Sequence, residues 1–399
     1  MIHLLSCWLN SQRFSMAASI KNVRLLEPKV WVGFCLNFFD HIETAIYLGL
    51  GPFLFFGSHD PSSSLWILGL LSSGLGKLCF AFIWSLLFRL FGLQAILCYS
   101  WIGLATSSLA LGIYGFYHGS YSLSLSVIML LRFFQSLCSN AQTHACRVWI
   151  FTGLAKESPQ ALYTSAFFGL STPLGMMSGL ALVLALFYLG CLQTLWPWIY
   201  IFLAIFALGM SKNLRNYLKN DSLTTTKPLW PKLKEIAICS LISSFGYFTY
   251  YWACVFLPIQ LNPQNPILAQ TQAMAYDTLL MIPLGILSTF LGSHLTLRLC
   301  SLGSLFALGL TLLGYLELTF LRGSLLVLGV LCSCSHSAWI KNRLHTEIFF
   351  PASLIGGALG ALAGSLGFYC AQNQGIEALA MASLPFLAIC LGLAVYNEA

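Results

Sequence analysis

Asn37, Asp40, Glu43 and Tyr47 follow one another at steps of three, three and four residues in an otherwise apolar run. On a helix that spacing gathers them into one stripe. Two carboxylates one turn apart in a low-dielectric medium repel each other, so at least one of Asp40 and Glu43 is expected to hold a proton near neutrality. Such a group could take a coupling proton or bind a substrate cation. The competing expectation is a structural pair neutralised by a neighbouring cation. Arg132, Gln135, Ser139, Gln142 and Thr143 share a face of a later segment by the same arithmetic. Arg132 lies too deep in that segment to snorkel easily. It is a candidate partner for the two acids or for a substrate carboxylate, with a structural salt bridge as an equal alternative.

Lys77 and Asp277 also fall inside apolar segments, where each could pair or line a cavity. His144, Arg147 and His336 do so too, but a lone membrane histidine is more often packed than a proton relay. Tyr247, Tyr250, Tyr251 and Trp252 lie close together. Their faces could cage an ammonium group by cation–π attraction, or they could belong to an interfacial aromatic belt.

The elements that must position these residues are membrane helices. Hydrophobic residues make up 58% of the 399-residue chain and charged residues 8%, against about 25% charged in a soluble domain. With so little polar surface available, the surrounding solvent must be lipid. Apolar blocks fall at 30–56, 65–88, 92–116, 123–153, 161–188 and 195–211, and after a basic linker at 236–258, 273–297, 300–317, 321–342, 350–371 and 376–396. Each is long enough, or nearly so, for a spanning helix of roughly 20 residues. The expected fold class is an all-α integral membrane protein with twelve transmembrane helices in two six-helix halves. The expected organisation is an N-terminal segment (1–29), one half (30–211), a linker (212–235) and a second half (236–396). Arg89 before Gly92 and Arg298 before Gly303 are expected at equivalent loops of the two halves. The glycines of the eleventh block, such as Gly356, Gly360 and Gly364, would let helices approach closely.

Orientation follows from Lys and Arg placement. With the N-terminus inside, the inner loops hold Arg89, Lys156, Arg298, Lys341 and Arg343, and the inner linker adds six more basic residues. The outer loops hold none, and only Arg322 breaks the pattern. The formal net charge of +7 is thus read as topology, with no nucleic-acid partner. Both termini are expected in the cytoplasm. The first twenty residues make a poor signal peptide, and Met16 is a candidate start. The 14 cysteines are scattered singly, apart from Cys332 and Cys334, and read as small apolar fillers rather than a metal or disulfide framework. No cofactor or metal is expected. No phosphate-binding loop, H-E-x-x-H or G-x-S-x-G occurs, so no enzyme is expected.

With these residues in hand, the chain resembles the major facilitator superfamily, and within it the metabolite–proton symporter branch of proline/betaine-type transporters. Asn37, Asp40, Glu43, Tyr47 and Pro52 match its first helix with the two acid types exchanged. Lys77 stands where the branch usually has Arg. Arg132 and Gln135 match its fourth helix, Tyr250–Tyr251 to Leu257–Pro258 its seventh, and Phe350–Pro351 its eleventh. The chain departs from the pattern in three places: no Asp precedes Arg89 and Gly92, Gln142 replaces a glutamate, and Ser136 and Asn140 replace glycines.

The resemblance implies a secondary transporter, working by alternating access around a midplane site. Its cargo would be an amino acid or betaine-like zwitterion, moved with a proton by a monomer in a bacterial inner membrane. Asp40 and Glu43 would take the proton or the substrate cation, and Arg132 would face the substrate carboxylate or hold those acids. Tyr247, Tyr250, Tyr251 and Trp252 would cage the ammonium. Another cargo (a sugar, a nucleoside or an exported drug) and a degenerate, non-transporting receptor or structural protein remain alternatives.

Overall fold

The structure, a computed structural model, describes residues 27–54, 65–118, 125–152, 154, 158–218, 233–262, 264–343 and 346–374. The segment around Met16, Lys156, most of the basic linker and the twelfth apolar block lie outside these residues. All regular structure among the described residues is helical. Buried in lipid, each backbone N–H and C=O must find a partner within its own segment, and a helix does this.

Helix α1 is Pro28–Leu54. The run Leu65–His118 reverses at Gly92, where φ is 78°, giving α2 (65–91) and α3 (93–118). Helices α4 (Leu125–Phe151), α5 (Pro159–Tyr188) and α6 (Leu192–Leu218) follow. Helix α7 begins as Leu233–Tyr250, continues through a π-helical segment, Tyr251–Phe256, and ends as Leu257–Leu261. The run Pro266–Leu312 reverses at Gly292, where φ is 76°, giving α8 (266–291) and α9 (293–312). Helices α10 (Leu318–Arg343) and α11 (Thr346–Gln374) complete the described chain.

The two positive-φ glycines correct one expectation. Only glycine adopts this backbone region cheaply, so one residue can reverse the chain with few polar residues around it. The first reversal falls where the sequence placed it. The second falls at Gly292, not beside Arg298 and Gly303, and Arg298 lies inside α9. The polar pair Ser293–His294 marks the turn weakly, and the stronger charge at Arg298 drew the expected boundary six residues past it.

Among the described residues, six helical stretches are long and apolar enough to cross a membrane, two of them the double runs through Gly92 and Gly292. The helices outside that set, α1, α4 and α7, carry most of the polar residues of interest, while Lys77 and Asp277 lie in the two double runs. The polarity of those three helices suits a position facing other helices rather than lipid.

Helix pairing repeats between the halves. In the first, α1 packs on α5 and α2 on α4; in the second, α7 packs on α11 and α8 on α10. The halves meet through α5 on α8 and α2 on α11, in each case the second helix of one half on the fifth of the other. Without a hydrophobic drive between helices in lipid, such pairs depend on close approach at small residues. Gly175 and Gly179 of α5 lie against the Phe38 and Ile42 carbonyls of α1. Gly360 of α11 lies against α7, where an added Cβ would stand 2.5 Å from the Ser244 carbonyl oxygen. Some buried hydroxyls on α7 are satisfied locally, as Ser240 donates to the Ile236 carbonyl and Thr249 to that of Phe245.

Candidate functional site

The α1 stripe divides between two environments. Three residues turn a helix through about 300°, so a step of three falls about 60° short of a full turn. Asp40 and Glu43 therefore diverge although they lie one turn apart. Glu43 points into the first half, where its Oε1 accepts from Arg132 at 2.7 Å. Arg132 also donates to Gln135 Oε1 at 2.6 Å, and Gln135 donates to Ser108 at 2.8 Å. The guanidinium lies over the Tyr47 ring, 4.0 Å from its centroid. Glu43, Tyr47, Arg132 and Gln135 are all buried, so this is a closed, charge-balanced cluster.

Asp40 faces the other way, into a cavity of about 980 Å³ between the halves. Its Oδ2 accepts from Thr143 at 2.8 Å and lies 4.0 Å from His41 Nδ1. His41 Nδ1 also lies 2.7 Å from the Asn37 carbonyl oxygen. Asn37 itself ties α1 to α5, donating to Ser171 at 2.6 Å and to Thr172 at 3.1 Å. Lys77 on α2 and Arg147 on α4 bring positive charge to the same cavity, and Asp277 on α8 brings a second carboxylate.

Tyr247, Tyr250 and Tyr251 of α7 also line the cavity. They stand at i, i+3 and i+4, the spacing of one helix face. Trp252 does not share that face. It is 1% exposed and packs beside Phe248 and Phe256, with ring centroids 6.1 and 6.3 Å away. The π-helical turn begins at this point, and the Leu257 N–H bonds back to the Trp252 carbonyl. Such turns occur frequently at functional sites.

At one end of the cavity the halves touch. Arg147 donates to His336 Nε2 of α10 at 2.9 Å. Because arginine only donates, this nitrogen accepts, which assigns the ring proton to Nδ1, 3.4 Å from the Ser333 carbonyl. Asn140 donates to the Leu354 carbonyl of α11 at 3.2 Å. Beyond these bonds Phe88 stacks on Phe350 at 4.9 Å, and Phe151 meets Phe349 edge-on at 6.2 Å.

Solved structures resemble this arrangement. The chain is similar to the major facilitator superfamily proton:xylose symporter XylE, in a complex with 6-bromo-6-deoxy-D-glucose. The TM-score is 0.68 at 12% identity, over 92% of this chain and 95% of that one. It is also similar to the human organic anion transporter MFSD10 (TETRAN), with TM-score 0.64 at 16% identity, over 92% of this chain and 99% of that one. The chain has the major facilitator fold. No family model and no curated protein matches the sequence. Fold alone does not fix cargo, so the cavity residues must carry the rest.

Within this major facilitator fold the residues singled out from sequence separate into two groups. Asp40, Lys77, Asp277, Tyr247, Tyr250 and Tyr251 line the cavity. Asn37, Glu43, Tyr47, Arg132 and Gln135 are engaged within the first half, and Gln142 is buried with its amide 3.4 Å from Cys146 Sγ. Sequence reasoning passed over His41 and gave Arg147 and His336 little weight, yet all three line the cavity. His41 was legible as the neighbour of Asp40 four residues after Asn37. The contact between Arg147 and His336 spans the two halves and leaves no periodic trace.

Proposed function

We propose that the protein is a secondary transporter that moves a small organic zwitterion, an amino acid or a betaine, by alternating access between its two halves. The observation that carries this reading is the cavity between the halves, lined by charges of both signs and by three tyrosines. The solute's carboxylate sits toward Lys77 and Arg147, where a charge-assisted bond offsets its desolvation. Its ammonium sits against the tyrosine faces and Asp40. Glu43 and Arg132 hold α1 to α4 and do not touch the solute.

Residues 30–211 and 236–396 form the moving halves. The Arg147–His336 and Asn140–Leu354 bonds and the phenylalanine contacts beyond them are the closure at one end, and they part when the cavity opens there. In the orientation read from basic residues, that end faces the cytoplasm of a bacterium, with both termini on the same side.

The similar structures are of a proton:xylose symporter and an organic anion transporter. The two cavity cations give an organic anion its own claim on the site. A thermal-unfolding series on purified protein with proline, glycine betaine, xylose and a simple dicarboxylate separates these readings. A ligand at about 100 times its dissociation constant stabilises the folded state by about 2.7 kcal/mol, a rise of several degrees in a chain of this size. We expect that rise with proline or glycine betaine. A rise with xylose or the dicarboxylate alone would replace the zwitterion.

A further inference from the structure

Asp277 is the cavity carboxylate with the least to hold it. It lies in α8, is 4% exposed and faces the cavity. Its Oδ2 is met by the Cys254 thiol at 3.8 Å, a long contact to a weak donor. Its Oδ1 has no partner among the described residues. The ion pairs among the described residues are Lys29–Glu27, His41–Asp40 and Arg132–Glu43, and none involves Asp277.

The other two membrane acids have stronger partners, although Asp40 Oδ1, like that of Asp277, has none among the described residues. Glu43 has the Arg132 guanidinium, and Asp40 has the Thr143 hydroxyl with His41 beside it. A bare carboxylate without counter-charge or good donors is the costly state of such a side chain, and the protonated acid is the cheap one. The groups packed around Asp277 do not change this balance. Tyr250 and Cys254 of α7 and Cys334 of α10 are neutral, and the Tyr250 hydroxyl is turned to Met274 Sδ at 3.5 Å. Arg322 of α10 lies on the Cys254 side and makes no ion pair with Asp277. His336 of α10 accepts from Arg147, and the α5 side chains lining the cavity carry no titratable group. Lys77, Arg147, Asp40 and His41 line the cavity from the first half, none within ion-pair distance of Asp277.

We propose that Asp277 carries the exchangeable proton of the cavity. Its O–H bond stays intact while the cavity is shut and breaks, with the proton passing to water, when the cavity opens. This rests on the transporter reading and deepens it. It moves the coupling site from α1, where the two-acid stripe pointed, to α8 in the other half.

The test does not require a known solute. Purified native protein is treated with radiolabelled N,N′-dicyclohexylcarbodiimide, which adds to protonated carboxyls in apolar surroundings and not to carboxylates. Labelled peptides are then identified by mass spectrometry across a pH series. Expected is label on the α8 peptide at Asp277, lost as pH rises, absent in Asp277→Asn and retained in Asp277→Glu, with the α1 peptide unlabelled. Label on Asp40 or Glu43 with α8 unlabelled would overturn the proposal, as would label at Asp277 that no pH removes, or none there at any pH. Failure of proline and glycine betaine to bind would count against the proposed cargo without altering the labelling result.

Discussion

Replacing Arg132 with Ala is expected to cost the folded protein about 3–5 kcal/mol, because it strands the buried Glu43 carboxylate. Arg132 is 2% exposed and Glu43 is 3% exposed, so water does not replace the lost partner. The same change removes the bond to Gln135 and the packing over the Tyr47 ring. A double replacement, Arg132→Met with Glu43→Leu, removes both charges and keeps the volume. It should recover most of the loss, since an apolar pair of similar size is often no worse than a buried ion pair. Thermal unfolding in detergent reads both. An Arg132→Ala protein that melts with the native one would mean that the cluster is not holding α1 to α4.

Lys77→Met has the largest expected effect on function. Lys77 lines the cavity with no ion pair among the described residues, so its ammonium is available to a solute carboxylate. A hydrogen bond to a charged group contributes about 1.5–3 kcal/mol, so losing it should weaken solute binding by roughly 10- to 150-fold. Methionine keeps the length and apolar stem of the side chain, so the melting temperature should hardly move. Lys77→Arg should retain part of the affinity. Equilibrium binding of labelled proline or glycine betaine to the three proteins measures this. Equal affinity in all three would remove Lys77 from the site and leave Arg147 as the anion-binding group.

Much of the architecture was legible because lipid imposes it. A segment crossing the bilayer needs about 20 apolar residues, and nine blocks and the first reversal at Gly92 appear where hydropathy put them. The reversal at Gly292 is marked only by Ser293 and His294, a weaker interruption than the charge at Arg298, six residues on, which drew the boundary away from it. The stripe on α1 was legible as a stripe. Its division was not, since periodicity gives a direction around a helix and not the neighbour found there. Asp40 and Glu43 differ by about 60° in that direction, and the turn takes one to the cavity and the other to Arg132. The tyrosine set on α7 follows i, i+3, i+4, and Trp252, one residue further on, breaks that pattern. Arithmetic on the sequence alone would have excluded it. The contact of Arg147 with His336 joins residues 189 apart in sequence, and only the folded chain brings them together.

The central claim is that a zwitterion moves through the cavity between the two halves. The most direct test is uptake of radiolabelled proline and glycine betaine into proteoliposomes, with and without an inward proton gradient and against protein-free vesicles. The account predicts accumulation of at least one solute that requires the gradient and collapses when a protonophore is added. Entry no faster than into protein-free vesicles, for both solutes and under both conditions, would contradict it.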